Sequence, residues 1–328
     1  MNPLAGTLAN AGQKNSRFFY YVRHLLQCVL PAGPCRRRLD GLLRAVPPGK
    51  EADIHKRVDY CNKVSAPFPA AEIDDPFRCT LRRGKRNFYL DFYEYARYFD
   101  PAWKVRYRFG DKTFVPDRPT IVKARPIAGD NANSVLFKLD KIRHFVFVAD
   151  PLPYARKRDQ LVWRGNAAQP HRRRFLERYF RHPRCDVGHA HKRKTEHPWA
   201  KGYLSIAEQL QSKFVLALEG NDVASNLKWV MASNSLCFMP RPRFETWFLE
   251  GWLVPGRHYV ALQDDFADLD EKMDYYLAHP ADALEIIRNA QAHAAMFRNE
   301  ARERLVALLV LKKYFALSGQ WPAAAVRD

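Results

Sequence analysis

The stretch KFVLALEGNDVASNLKWVMASNSLCFMP, residues 213–240, decides the reading of the fold. FVLALEG (214–220) has the length and apolar continuity of a buried strand. NDVASNLKWVMAS (221–233) then reads as a helix, and SLCFMP (235–240) as a second strand. A buried strand, a glycine, a helix and another buried strand form one repeat of a parallel sheet, and ligands bind such sheets at the carboxyl ends of the strands. Gly220 lets the backbone come close to a ligand, and Asn221 or Asp222 is placed to cap the new helix. Unpaired N–H groups at that helix start attract an anion, with Ser225 and Lys228 in its first turns. The junction is not a Walker loop, because G-x-x-x-x-G-K-[ST] is missing.

The alternation continues on both sides. LVWRG (161–165) is a buried strand running into a turn, and RRRFLERYF (172–180) is helical. SIAEQLQSK (205–213) and ETWFLEGW (245–252) read as helices, HYVAL (258–262) as a strand, and 267–280 and 281–316 as helices. Upstream, NFYLDFYE (87–94), WKVRYRF (103–109) and TIVKARPI (120–127) carry the aromatic and β-branched enrichment of strands. Residues 46–80 are Pro-rich and read as irregular. Residues 16–45 combine aromatics and leucines with Arg17, Arg23, Arg36, Arg37, Arg38 and Arg44, a basic amphipathic helix ending in a turn at PAGP. The amphipathic pattern suits an ordinary surface helix and a membrane-facing one equally.

The chain has 328 residues, 47% of them hydrophobic, which excludes a mainly disordered protein. Lys and Arg number 54 against 35 Asp and Glu, a formal charge of +19. Such an excess calls for anionic company: nucleic acid, a phosphorylated ligand or an anionic membrane surface. No RNA-binding signature is present. Cys28, Cys35, Cys61, Cys79, Cys185 and Cys237 form no C-x-x-C pair and are too sparse for a disulfide scaffold, so free thiols in a reducing compartment are expected. No secretory signal and no apolar run of bilayer-spanning length stand in the sequence, so a cytoplasmic protein is expected.

A second phosphate candidate is VWRGNAAQPHR (162–172), in which Arg164 ends a strand, Gly165 opens a turn and Arg172 begins a helix. A guanidinium suits bidentate phosphate contact. Other features point to blander roles. Asp268-Leu269-Asp270 has the form of a D-x-D metal motif, but it precedes a helix and reads as helix-start carboxylates. His189, His191 and His197 lie in a basic loop without zinc spacing. His144 is a core-edge residue or an alternative base. Glu245 is a candidate for sugar or ribose hydroxyls, or a surface or capping carboxylate.

At this point the blocks KARPI (123–127), NANSVLFKLDKIRHF (131–145), VWRG (162–165), EQLQSKFVLALEGNDVASNLKW (208–229), ETWFLEG (245–251) and HYV (258–260) come in an order that resembles glycosyltransferase family 90. That is the family of capsule-associated proteins and of animal protein O-glucosyl- and O-xylosyltransferases. The chain is most similar to the bacterial branch of lipopolysaccharide core glycosyltransferases, over residues 85–316.

The resemblance implies an α/β protein of GT-B type, with two Rossmann-like domains facing across a cleft. It implies an acceptor-side domain over 1–155, with the basic segment at its start, and a nucleotide-sugar domain over 156–328 whose last helices pack back on the first. It implies an inverting transferase that needs no metal or other cofactor and takes a UDP-sugar as donor. The R-G-x-x-x-x-x-x-R element of the family falls on Arg164, Gly165 and Arg172, with Arg172 toward phosphate. Its G-x-x-A-S element falls on Gly220 to Ser225, taking in Asn221 and Asp222, with Lys228 as the following basic residue; animal members carry an arginine one place earlier, where this chain has Leu227. The catalytic aspartate of the animal enzymes falls on Asp111 in RYRFGDKT, whose flanking residues differ from theirs. Glu245 is placed toward donor hydroxyls.

The resulting expectation is transfer of a hexose, glucose or galactose, from a UDP-sugar to lipopolysaccharide core or a related glycan. The protein would be cytoplasmic and peripheral on the anionic inner membrane of a Gram-negative bacterium, with no nucleic-acid partner. Two alternatives stand beside it: transfer to capsule or protein acceptors, and a non-enzymatic polyanion binder motivated by charge alone.

Overall fold

A computed structural model describes residues 17–73, 77, 85–190 and 198–322. Cys79, His191, His197 and the basic runs 82–84 and 192–194 lie outside the described residues. The chain is a mixed α/β protein with parallel sheets, divided into two compact units. In chain order the main elements begin with α1 (Arg17–Val29), α2 (Gly33–Arg44), α3 (Glu51–Cys61) and α4 (Arg86–Ala96). Short strands follow: β1 (Tyr107–Arg108), β2 (Thr120–Val122), β3 (Ala124–Pro126) and β4 (Ser134–Leu136). Next come β5 (Arg158–Gly165), α5 (Pro170–Tyr179), β6 (Cys185–His189), α6 (Ile206–Gln209), β7 (Ser212–Leu216), α7 (Leu227–Met231) and β8 (Leu236–Pro240). The chain finishes with β9 (Phe244–Thr246), β10 (Val260–Leu262), α8 (Leu269–Ala278), α9 (Pro280–Ala295) and α10 (Glu300–Leu317).

One unit takes Arg143–Pro242 and Glu250–Arg298. Its five strands are all parallel, in the order β10-β8-β7-β5-β6. Counted within the unit, this is the order 2-1-3-4-5 of an open doubly wound sheet. The chain steps from β5 outward to β6, then returns past β5 to lay down β7, so the connections diverge between β5 and β7. A crevice opens outside the carboxyl ends of the strands at such a reversal. The central strands are apolar on both faces, as covered parallel strands must be. Phe214, Val215 and Leu216 on β7, and Leu236 and Phe238 on β8, are fully buried.

The other unit takes Arg17–Ile142, Arg243–Leu249 and the chain from Asn299 onward. It holds a three-stranded parallel sheet, β1-β2-β4, and an antiparallel pair, β3-β9. Helix α10 packs against α2, α3 and α4. One of its buried charge clusters is centred on Glu303. One carboxylate oxygen accepts from Arg57 Nη1 at 2.6 Å; the other accepts from Lys138 Nζ at 2.8 Å and from Trp247 Nε1 at 2.7 Å.

Several sequence expectations differ from the structure. Residues 87–94 lie in helix α4, not a strand. Their aromatic density reports burial rather than β structure: Phe88, Phe92 and Tyr95, spaced four and three apart, are all buried. The irregular 46–80 region contains helix α3, and only Tyr107–Arg108 of WKVRYRF is strand. The 245–252 segment is strand β9 followed by a single 3-10 turn, Glu250–Trp252. In the 221–233 segment only Leu227–Met231 is helical. Asn, Asp and Ser at 221, 222, 225 and 226 compete for local backbone bonds; Gly220 N–H donates to Asp222 O, and the Asn226 side chain donates to Leu216 O. The described cysteines, Cys28, Cys35, Cys61, Cys185 and Cys237, are free thiols.

Burial opposes the ionisation of Glu303, but Lys138 and Arg57 outweigh it and hold its carboxyl below the ordinary range. Removing that charge strands two buried cations. Glu303→Gln is expected to cost about 3–5 kcal/mol at neutral pH in urea unfolding. A carboxylate with a depressed pKa stabilises above the ordinary carboxylate range and loses that contribution as the pH falls through its folded value. The deficit of the variant is therefore expected to shrink in acid.

Candidate functional site

The loops leaving β5 and β7, the two strands at the reversal, are tied together by side chains. The tie begins with Arg172, in the first turn of α5. Its guanidinium donates from Nε to Glu219 O at 2.8 Å, from Nη2 to Leu218 O at 2.7 Å and from Nη1 to Asn166 O at 3.0 Å. His171 Nε2 lies 2.8 Å from the same Glu219 carbonyl, and Gln169 Nε2 donates to Asn221 Oδ1 at 2.6 Å. The guanidinium carbon lies 5.6 Å from the centroid of the Trp163 ring, a cation–π arrangement.

Two glycines make this packing possible. A Cβ on Gly165 would come within 2.5 Å of the Trp163 ring, so no other residue fits there without moving the indole. A Cβ on Gly220 would lie 3.4 Å from Arg172 Nη2 and 4.0 Å from its guanidinium carbon. From Gly165 through the Trp163 indole and the Arg172 guanidinium to Gly220, the contacts are continuous.

The electrostatics set Arg172 apart. Burial pushes its guanidinium down to about 10, and Glu219 opposes the fall. The group stays charged at neutral pH, yet among the described residues it forms no ion pair with a carboxylate; its hydrogen-bond partners are main-chain carbonyls. The first turn of α5 contains no acid. A cation there works against the helix dipole. The three bonds use three of the five guanidinium donors, leaving two for a ligand. A partly desolvated cation of this kind gains most from an anion.

The other candidate residues are placed as follows. Arg164 joins β5 to β6: it donates to Trp163 O, Asp186 O, Asp186 Oδ1 and Gly202 O. Lys228 is fully buried and ion-paired with Glu250 at 2.6 Å, so its charge is met inside the fold. Asp222 is buried in the turn after Gly220, and Ser225 is exposed just before α7. Helix α7 begins only at Leu227 and is five residues long, so 221–225 form a loop and not the expected helix start. Glu245 is fully buried on β9, in the other unit; its oxygens accept from Arg125 Nε at 2.8 Å and from the Tyr60 hydroxyl at 2.6 Å. The structure thus gathers Gly165, Arg172, Gly220 and Asn221 and leaves Arg164, Lys228 and Glu245 in structural pairs.

Asp111 stands at the carboxyl end of β1 in that same other unit, after Gly110 with φ +119°. The left-handed value favours glycine at the turn. The carboxylate accepts from Lys123 Nζ and keeps 23% of its side chain exposed. Asp268 accepts from Gln263 N–H at 3.0 Å and from Lys272, and Asp270 pairs with Arg184 at 2.8 Å. Both act at the start of α8. His144 is buried, with Nε2 3.0 Å from Arg143 Nη2.

Sequence reading missed three participants. Trp163 carries the stacking surface, and Glu250 neutralises Lys228. His189, buried at the end of β6, accepts from Ala167 N–H through Nδ1 at 2.9 Å and so fixes the β5 loop. That bond marks Nδ1 as the acceptor and places the proton of a neutral ring on Nε2. A tryptophan two residues before a glycine at a strand end was the available signal for the first; nothing local pointed to the other two.

The sequence profile of glycosyl transferase family 90 matches residues 140–308. The chain is also 46% identical to O-glucosyltransferase LpsA of Dichelobacter nodosus over 303 residues, 91% of this chain and 95% of that protein.

The two glycines are expected to separate packing from binding. Gly165→Ala, which overlaps a fixed indole, should cost about 1–3 kcal/mol in urea unfolding. Gly220→Ala should leave the unfolding midpoint nearly unchanged while weakening the affinity for inorganic pyrophosphate, measured by calorimetry.

Proposed function

The chain belongs to glycosyl transferase family 90, and from that membership and the site geometry we propose that it transfers glucose from a UDP-sugar to lipopolysaccharide core or a related glycan. One observation carries the donor side: Arg172, a partly desolvated cation bonded to carbonyls and not to carboxylates, at the sheet reversal where ligands of such folds bind. A nucleoside diphosphate is the ligand whose charge this arrangement lacks. The choice of glucose follows the name of the Dichelobacter relative, and the choice of acceptor follows the bacterial branch that the motifs resemble.

The reaction is an in-line displacement with inversion. An acceptor hydroxyl oxygen forms a bond to the anomeric carbon as the bond from that carbon to the diphosphate oxygen breaks. The hydroxyl proton passes to a general base, and UDP leaves with the electron pair. Negative charge grows on the diphosphate in the transition state, where fixed donors aimed at it are most effective. Arg172 supplies them. Its three carbonyl bonds hold the guanidinium in place before the ligand arrives, so little reorganisation is needed on binding. Lys228 does not touch the diphosphate in this reading; its charge is taken up by Glu250.

Asp111 is assigned as the general base. It is a strand-end carboxylate, paired with Lys123 and still partly open to solvent, and the resemblance carries the catalytic aspartate to it as the best counterpart, with different flanking residues. A positioned base contributes about 10²–10⁴-fold to such a step.

Asp111→Asn is expected to lower transfer from UDP-glucose to a core-oligosaccharide acceptor by that factor. The stabilisation by UDP in thermal melting should be retained. Near-wild-type turnover by the variant would remove the base assignment, and the lack of any stabilisation of the wild-type protein by UDP-sugars would remove the donor assignment.

A further inference from the structure

Helix α1 packs in an inverted sense. In a surface helix the apolar stripe faces the protein and the polar residues face water. Here the polar side faces inward. The Tyr20 hydroxyl donates to Asp91 Oδ1 at 2.7 Å and to Asn87 O at 3.3 Å, both on α4. Arg23 pairs with Glu94 at 3.1 Å. His24 is buried, 3.6 Å from Asp91 and 3.8 Å from Glu94, and Lys141 closes the cluster on Glu94. Burial and Lys141 push His24 down to about 4, so a neutral imidazole fills this place at physiological pH.

The apolar side faces outward. Phe18 and Phe19 are 71% exposed, Leu26 55%, Val29 82% and Leu30 56%, with Val22 and Leu25 between them at 40% and 39%. At 3.6 residues per turn these positions share a stripe of about 140° on one side of the helix. Scattered exposed leucines need no explanation, but a contiguous stripe of seven large apolar residues does.

Exposed cations stand on the same helix and on the next one. Residues 17–44 contain six arginines and one aspartate. Arg17 and Arg23 on α1 and Arg36, Arg37 and Arg38 on α2 are exposed, and the Arg86 guanidinium lies 6.0 Å from the Tyr21 ring. The helix has 13 residues, well short of the roughly 20 needed to span a bilayer. Among the described residues, no helix is long and apolar enough to cross a membrane.

We propose that α1 docks this protein onto an anionic lipid bilayer, with Phe18, Phe19, Val22, Leu26 and Val29 entering the interface and the flanking arginines on the lipid headgroups. An exposed apolar face with exposed arginines on its own helix and the next matches the two signals that hold an interfacial helix: buried apolar area and attraction to anionic lipid. A second copy of the chain is the poorer match. A two-fold contact through this face would bring the arginines of each copy against those of the other. The polar anchoring of α1 to α4 presents the stripe without any rearrangement. The inference does not depend on the chemistry proposed above.

The test is flotation of the full chain with phosphatidylcholine vesicles, with and without about a third of phosphatidylglycerol. The wild type should bind the anionic vesicles, and binding should fall as salt rises. Phe19→Ser combined with Leu26→Ser should reduce partitioning at least about tenfold. These side chains are exposed, so the thermal midpoint and the UDP-sugar response should stay at wild-type values. Replacing Arg36, Arg37 and Arg38 by serine should flatten the salt dependence. The proposal is overturned if the wild type ignores anionic vesicles, or if the Phe19/Leu26 variant binds them as tightly as the wild type. It is equally overturned if the wild type sediments as a dimer that this variant dissociates, because a second copy then covers the face.

Discussion

Three hydrogen bonds from one guanidinium hold the candidate site together. Arg172 binds the carbonyls of Leu218 and Glu219, leaving β7, and of Asn166, leaving β5. These strands are parallel neighbours whose ladder ends at Val162 and Val215, so the loops beyond it have no ladder bonds to align them. The side chain does that work instead. It is held from one side by the Trp163 indole, which can lie flat only because residue 165 has no Cβ. Gly220, beside Nη2, brings no Cβ against it. A residue that first suggests a simple phosphate ligand is thus also the brace that shapes its own loop.

The contrast with the other buried charges gives this arrangement its meaning. Lys228 with Glu250, Arg125 with Glu245, and Arg57 and Lys138 with Glu303 are all closed pairs or clusters inside one unit. Each satisfies a desolvated charge with its opposite, as burial requires. Arg172 has three of its five donors bonded and, among the described residues, no ion pair with a carboxylate. Carbonyl dipoles orient it without cancelling it.

Much of this was legible in the sequence. The strands around Val162, Phe214, Phe238 and Val260 announced themselves by apolar continuity, and their alternation with helices implied a parallel sheet. Gly165, Arg172, Gly220 and Asn221 were all among the candidates, and the structure brings them together. The failures have identifiable causes. Aromatic richness in 87–94 signalled burial without saying which period carried it. Asn221, Asp222, Ser225 and Asn226 drew the backbone into turns and delayed the helix to Leu227. Lys228 and Glu245 carried the right charge for a ligand, but their partners, Glu250 and Arg125, are set by tertiary packing that spacing does not encode. The outward stripe on α1 was visible as an amphipathic pattern; only the structure shows which side the protein takes.

The central claim is that Arg172 reads the diphosphate. Calorimetric titration of UDP and of uridine into the wild type and into Arg172→Met isolates that contribution as a thermodynamic cycle. The account predicts that UDP binds the wild type about 10²-fold or more tightly than uridine, since charge-assisted bonds to a partly desolvated guanidinium carry the difference. In Arg172→Met most of that preference should vanish, while uridine binding changes little. A preference for UDP over uridine that survives intact in the variant would contradict it.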